Sequence, residues 1–217
     1  MPTTRHDRPL NRLGQEPALL SALVAQVTGR PLPRGLKRAP NALRQGKDLT
    51  LELVLTDARG RWVAAELQLG IDVAKPRRWA LSVALLTDEH ERPGDLVVLT
   101  HRRSVQRWAR RLAWQGPGGS RSELRPIVVL LDEAMARTLL AQADARLVWL
   151  AAWAVSHRKG PRAVEVVERA LMRCGELGPQ ALEYRTSIIE VLQPSLVESV
   201  RAALQAAARR SVELGKA

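Results

Sequence analysis

Apolar residues recur at helical spacing early in the chain. Leu13, Leu19, Leu20, Leu23, Val24 and Val27 predict a helix from about Asn11 to Thr28. Gly29-Arg30-Pro31-Leu32-Pro33 stops it, with a glycine just past the last turn and prolines beyond. A basic loop leads to Lys47. From Asp48 to Thr56 the period changes to two, with Leu49, Leu51, Leu53 and Leu55 alternating, which predicts a strand. Asp57-Ala58-Arg59-Gly60 is a turn and Arg61–Leu69 a second strand, so the pair forms a hairpin. Pro76 to about Leu86 predicts a helix with proline in its first turn. Asp95–Thr100 is a short buried strand, Ser104–Trp114 a basic amphipathic helix, Gly116–Ser120 a loop and Pro126–Leu131 another strand-like run. Beyond Asp132, a plausible N-cap, helices are expected at about 133–142, 145–156, 163–173, 179–192 and 195–214. The pattern therefore divides the chain into an α/β core over residues 1–131 and an all-helical C-terminal extension over residues 132–217.

Composition narrows the class. With 46% hydrophobic and 26% charged residues the chain is globular in character and long enough for a substantial core. Cys174 is the single cysteine, so no disulfide can form within the chain. The longest apolar run, Leu147–Val155, is too short to span a bilayer, and the N-terminus leads into no apolar signal stretch. A cytoplasmic protein without membrane association is expected. The formal net charge of +12 comes mostly from arginine, since only Lys37, Lys47, Lys75, Lys159 and Lys216 are lysines. Residues 1–47 carry nine cations against Asp7 and Glu16, and residues 101–125 carry seven against Glu123. Such a chain is drawn to polyanions by counterion release, although an arginine-rich proteome would give the same balance.

Candidate chemistry gathers on the hairpin. Asp48 opens the first strand, and Glu66 and Gln68 share one face of the second, with Leu67 and Leu69 on the other. Folding at residues 57–60 brings the Asp48 end towards Glu66 and Gln68, with Lys75 following in a loop. Hard oxygen donors in this arrangement suit Mg²⁺ or Mn²⁺. Carboxylates at strand starts and on solvated strands are common, but the second strand reads as an interior one. A glutamate buried there without a cation would cost several kcal/mol. Arg103, Arg107, Arg110 and Arg111 are expected on one side of a helix, as a solvated face or as a contact for phosphates. Other features carry less. The four histidines are scattered, Cys174 has no CxxC partner, Gly116–Ser120 lacks the Gly-Lys-Ser/Thr of a phosphate loop, and Trp79, Trp108, Trp149 and Trp153 are expected to fill core space.

Three stretches carry a resemblance: Asp48-Leu-Thr-Leu-Glu-Leu-Val-Leu, Val63-Ala-Ala-Glu66-Leu-Gln68-Leu and Asp72-Val-Ala-Lys75-Pro-Arg-Arg-Trp79. With His6-Asp7 ahead of Glu16-Pro17-Ala18-Leu19-Leu20, and Leu32-Pro33 closing the segment, residues 6–131 resemble the PD-(D/E)xK nuclease superfamily. The closer likeness is to its bacterial branch of recombination-promoting nucleases and transposase-like proteins. The resemblance implies a restriction-endonuclease-like core: a helix, a mixed central sheet of about four strands with a β-hairpin, and flanking helices. It also implies a Mg²⁺-dependent DNA endonuclease, with Asp48 and Glu66 holding the metal and Asp7 joining a second metal or its water. Gln68 stands where the superfamily usually has lysine, and Asp7 where the branch has glutamate. Gln68 would orient the attacking water or contact the metal, Lys75 or Arg78 would supply positive charge, and Arg77, Arg78, Arg103, Arg107, Arg110 and Arg111 would bind DNA. The same departures suit a catalytically degenerate member that binds DNA or a protein without cutting. A third alternative is a helical interaction protein of incidental charge, and the C-terminal region could form a homodimer.

Overall fold

The computed structural model describes residues 4–40 and 51–214, with side chains described for 8–40, 51–207 and 209. The chain forms two compact units, residues 1–130 and 131–217. Unit one is α/β. Its helices are α1 (Thr4–Gln15), α2 (Pro17–Thr28), α3 (Lys75–Glu89) and α4 (Arg103–Ala109). Its strands are β1 (Lys37–Arg38), β2 (Leu53–Thr56), β3 (Trp62–Leu67), β4 (Asp95–Thr100), β5 (Leu112–Gln115), β6 (Arg121–Leu124) and β7 (Ile127–Leu130). Five of them form a mixed sheet in the order β1-β2-β3-β4-β7, while β5 and β6 form a separate two-stranded ribbon.

β2 and β3 are antiparallel, paired from Thr56↔Trp62 to Leu53↔Ala65, whereas β4 lies parallel to both β3 and β7. Alternation gives the sheet two apolar faces. Val54, Trp62, Ala64, Leu96, Val98 and Val128 cluster with Trp79 and Leu86 of α3, Ala109 of α4 and Leu112 of the ribbon. Leu53, Leu55, Val63, Ala65, Val97, Leu99 and Val129 point to the opposite face, where α1 and α2 pack on the sheet with Leu13, Leu19, Leu20 and Leu23 buried. β3 and β4 are covered on both faces, so they read as nearly continuous apolar runs.

Three expectations need correction. The first helix is two, because Pro17 has no N–H to donate and drives Glu16 out of the helical region, to φ −124° and ψ 75°. The sheet has five strands rather than about four, because β1 is a charged dipeptide with no apolar alternation to betray it. The helix expected over Ser104–Trp114 ends at Ala109. Beyond it the apolar period becomes two, and Leu112, Trp114 and Leu124 turn one face of the ribbon onto the core. Tertiary packing overrides a helical pattern here. The Gly116–Ser120 loop becomes a hairpin turn in which Gly119 takes φ +85°, a region glycine enters without steric cost.

Unit two is helical: α5 (Glu133–Leu140), α6 (Val148–Val155), α7 (Pro161–Arg173), α8 (Ala181–Val191) and α9 (Pro194–Leu214), with 3₁₀ segments at Ala145–Leu147 and Cys174–Gln180. Every residue of α6 is buried, as expected of a helix that is apolar all round. Its Trp149 donates from Nε1 to the Ser187 carbonyl of α8 at 3.3 Å and stacks on Trp153 at 5.5 Å. Arg173 donates to the Leu140 and Gln142 carbonyls at 2.7 and 2.9 Å, satisfying the C-terminal end of α5. Among the described residues no helix is long and apolar enough to cross a membrane.

Candidate active site at the open end of the hairpin

The β2–β3 hairpin closes at Asp57, whose Oδ1 accepts from the Arg59 and Arg61 amides at 2.8 and 3.0 Å. Its other end carries the candidate residues. Continuing the register one pair beyond Leu53↔Ala65 sets Glu52 directly opposite Glu66. The two side chains replace the ladder there. The Glu52 amide donates to Glu66 Oε1 at 3.0 Å, and the Leu67 amide donates to Glu52 Oε2 at 2.7 Å. Lys75, the first residue of α3, donates from Nζ to Glu66 Oε2. Both carboxylates thus lie on the sheet face that α3 covers, at the carboxyl ends of the parallel pair β3 and β4. In open α/β sheets that is the end at which ligands bind.

Glu66 is only 1% exposed. Burial pushes its carboxyl pKa above the ordinary value and the Glu52 charge adds to the rise, against a partial opposing pull from the Lys75 ammonium. Two like charges facing each other across a hairpin repel, and the Lys75 ammonium offsets part of this at Glu66. The donors are hard oxygens of the kind Mg²⁺ or Mn²⁺ takes, with Glu66 Oε1 and Oε2 already accepting from the Glu52 amide and Lys75. Among the described residues no group of three or more His, Cys, Asp or Glu gathers to hold a metal.

Glu52 was not among the residues singled out from the sequence, although a signal for it existed. Once residues 57–60 are taken as the turn and Thr56 is paired with Trp62, counting outward puts position 52 opposite 66. Asp48, expected in that role, lies outside the described residues, as does the side chain of Asp7, which belongs to α1. Gln68 follows the end of β3. Its backbone amide donates to the Leu99 carbonyl at 2.8 Å and its Nε2 to the Gly70 carbonyl, which leaves Oε1 and the second Nε2 hydrogen for a further contact. Lys75 is helical rather than in a loop.

The expected arginine face is shorter than the sequence suggests, because α4 ends at Ala109 with Arg110 as its C-cap and Arg111 leads into the ribbon. Arg77 and Arg78 are exposed on α3, and Arg103 and Arg107 on α4, while Arg110 and Arg111 follow the end of that helix. The ribbon orders a different basic surface. Its inner residues Leu112, Trp114 and Leu124 pack inward, and strand alternation puts Arg111, Gln115, Arg121, Glu123 and Arg125 on the outer face. Glu123 pairs with Arg125 at 2.8 Å. Trp79 is buried and its ring lies 5.7 Å from that of Trp108, as core filling requires, and Cys174 is buried in unit two.

No protein-family model, curated protein or solved structure matches this chain.

Proposed function

We propose that this protein is a divalent-metal-dependent DNA endonuclease of the PD-(D/E)xK type, with Glu52 and Glu66 as the ligands of Mg²⁺ or Mn²⁺. The observation that carries this reading is the pair of opposed carboxylates, one of them buried and raised in pKa, beside Lys75 at the carboxyl ends of β3 and β4. When bound, the ion would neutralise charge on a scissile phosphodiester and lower the pKa of a coordinated water. The chain's own residues do the rest. The amides of Glu52 and Leu67 fix each carboxylate against the opposite strand, so the donors are held in place before a ligand arrives. Lys75 keeps a positive charge beside Glu66 where phosphate charge develops, and Gln68 Oε1 orients a water. Arg77 and Arg78, with the outer face of the ribbon, hold the phosphate backbone and set position rather than sequence. Asp48 and Asp7 remain further candidate ligands.

Lys75 also favours a second reading, a closed ion pair in a catalytically degenerate fold that binds DNA without cutting it. Nicking of supercoiled plasmid in Mg²⁺, Mn²⁺ or EDTA separates the two, run beside Glu52→Gln and Glu66→Gln and with calorimetric Mn²⁺ binding. The nuclease reading expects metal-dependent nicking and Mn²⁺ binding, both lost in each variant. Nicking that survives both substitutions, or DNA binding with neither nicking nor Mn²⁺ binding, overturns it. DNA as partner accords with a cytoplasmic location. A homodimer through unit two is supported by its exposed Leu182, Met172 and Leu204, and sedimentation velocity tests it.

A further inference from the structure

We infer that the loop between Gln68 and Lys75 is an apolar wedge that enters the base stack of a DNA duplex beside the bound phosphodiester, an inference that rests on the nuclease reading above. Leu69, Ile71 and Val73 on this loop are 48%, 56% and 87% exposed. Leu81, also exposed, follows on α3. Large aliphatic side chains elsewhere in unit one are for the most part buried, so this concentration on one short loop stands apart.

The loop is braced. The Gln68 amide holds its start to the Leu99 carbonyl, and the Gln68 carboxamide donates to the Gly70 carbonyl. The Ala74 amide donates to Asp72 Oδ1 at 2.9 Å, and the Lys75 amide to the Asp72 carbonyl at 3.2 Å. Backbone and side-chain bonds thus fix both ends of the loop, and the apolar side chains between them stand out in water. A wedge must be rigid in this way, because a slack loop would lose its ordering entropy on insertion.

Its surroundings select the partner. Both ends of the loop belong to the carboxylate site, since Lys75 returns to Glu66. Arg77 and Arg78 are exposed on the helix that follows it. Arg102 and Arg103 are exposed where β4, running parallel to β3, ends beside Leu67. The partner must therefore offer apolar surface next to anionic groups. A nucleic-acid duplex does so, with phosphates outside and base faces between its steps, and aliphatic wedges of this kind enter those steps. An anionic bilayer offers the same two chemistries but no role for Glu52 and Glu66 at the base of the loop.

The test is the Ile71→Ser/Val73→Ser double variant of the full chain, chosen because both side chains are exposed and their loss leaves the core intact. A paired duplex carrying 2-aminopurine reports unstacking in EDTA, where no cleavage occurs. Mg²⁺-dependent nicking is then compared on that duplex and on one with a central mismatch. The inference expects the wild type to raise 2-aminopurine fluorescence and the variant to leave it unchanged. Nicking of the paired duplex falls roughly tenfold and nicking of the mismatched duplex less than about twofold, because an open step needs no wedge. A wild type that nicks without changing fluorescence, or a variant impaired equally on both duplexes, overturns the wedge and leaves the nuclease reading standing. A wild type that unstacks the duplex but never nicks overturns the nuclease reading and keeps the wedge. No DNA binding at all removes both. A variant that loses a dimer or binding to phosphatidylserine vesicles, with its unstacking intact, reassigns the loop to a protein or membrane contact.

Discussion

Glu66→Gln should make the protein more stable at neutral pH while removing the proposed nuclease activity. The side chain is 1% exposed and faces Glu52, and burial together with that neighbour raises its pKa despite Lys75. Between the ordinary carboxylate pKa and the raised folded value, the folded state holds a proton that the unfolded chain has released. Stability therefore falls as pH rises through that window, and the penalty is fully present above it. Glutamine keeps an oxygen to accept from the Glu52 amide and carries no charge, but it turns an NH₂ donor where Glu66 Oε2 accepted from Lys75, so that contact is lost. Relief of an opposed like-charge pair is worth up to about 1 kcal/mol. The lost attraction of Lys75 opposes this gain, but the Glu66 pKa stays raised with that pull included, so the relief is the larger effect. For a chain of this length, about 1 kcal/mol raises the melting temperature by roughly 2–4 °C. Calorimetric melting in EDTA at pH 7.5 and pH 4.5 reads it, with the variant higher at the first and the gap narrowing at the second. A variant that melts lower than the wild type at pH 7.5 refutes the reasoning. The Lys75 pair would then dominate, and the site would be a structural ion pair.

Other substitutions probe the frame. A Cβ on Gly94 would collide with the Trp62 ring and carbonyl, and the ring cannot swing aside because its Nε1 donates to the Arg92 carbonyl at 3.0 Å. Gly94→Ala should cost about 3 kcal/mol by urea denaturation. Asp132→Ala removes the acceptor of the Met135 amide at the start of α5, a cost of about 1 kcal/mol read in the melting of unit two. If the ribbon's outer face meets DNA phosphates, Arg111→Ala/Arg121→Ala should weaken binding to unrelated duplexes equally. It should also reduce the slope of log affinity against log salt by about two, measured by fluorescence anisotropy.

What the sequence made legible follows from which signals were local. Asp95–Thr100 and the helical character of the second unit were readable because each element carries its own periodicity. β1 was not, since two charged residues hold no pattern, and only pairing with β2 makes them a strand. The ribbon was hidden because Arg107 to Trp114 fits a helix as well as it fits a turn into a strand, and the choice is made by Leu112 and Trp114 finding the core. At the candidate site, Glu66 stood out as a charge on an interior strand. Glu52 is indistinguishable from a solvated strand residue until the hairpin register is fixed, and only then does it become the neighbour that matters. The exposed aliphatic loop was equally invisible, since apolar letters alone do not say which of them a fold leaves in water.

The reciprocal bonds at the open end of the hairpin give the carboxylates a voice in the backbone. In an ordinary ladder an amide is held by a carbonyl, whose charge never changes. The amides of Glu52 and Leu67 are held instead by groups that can take up a proton or be drawn towards a cation. Their nuclear magnetic resonance positions and hydrogen-exchange rates must move with the state of the site. Two backbone protons thereby act as a built-in gauge of its charge, readable with no substrate, no label and no turnover.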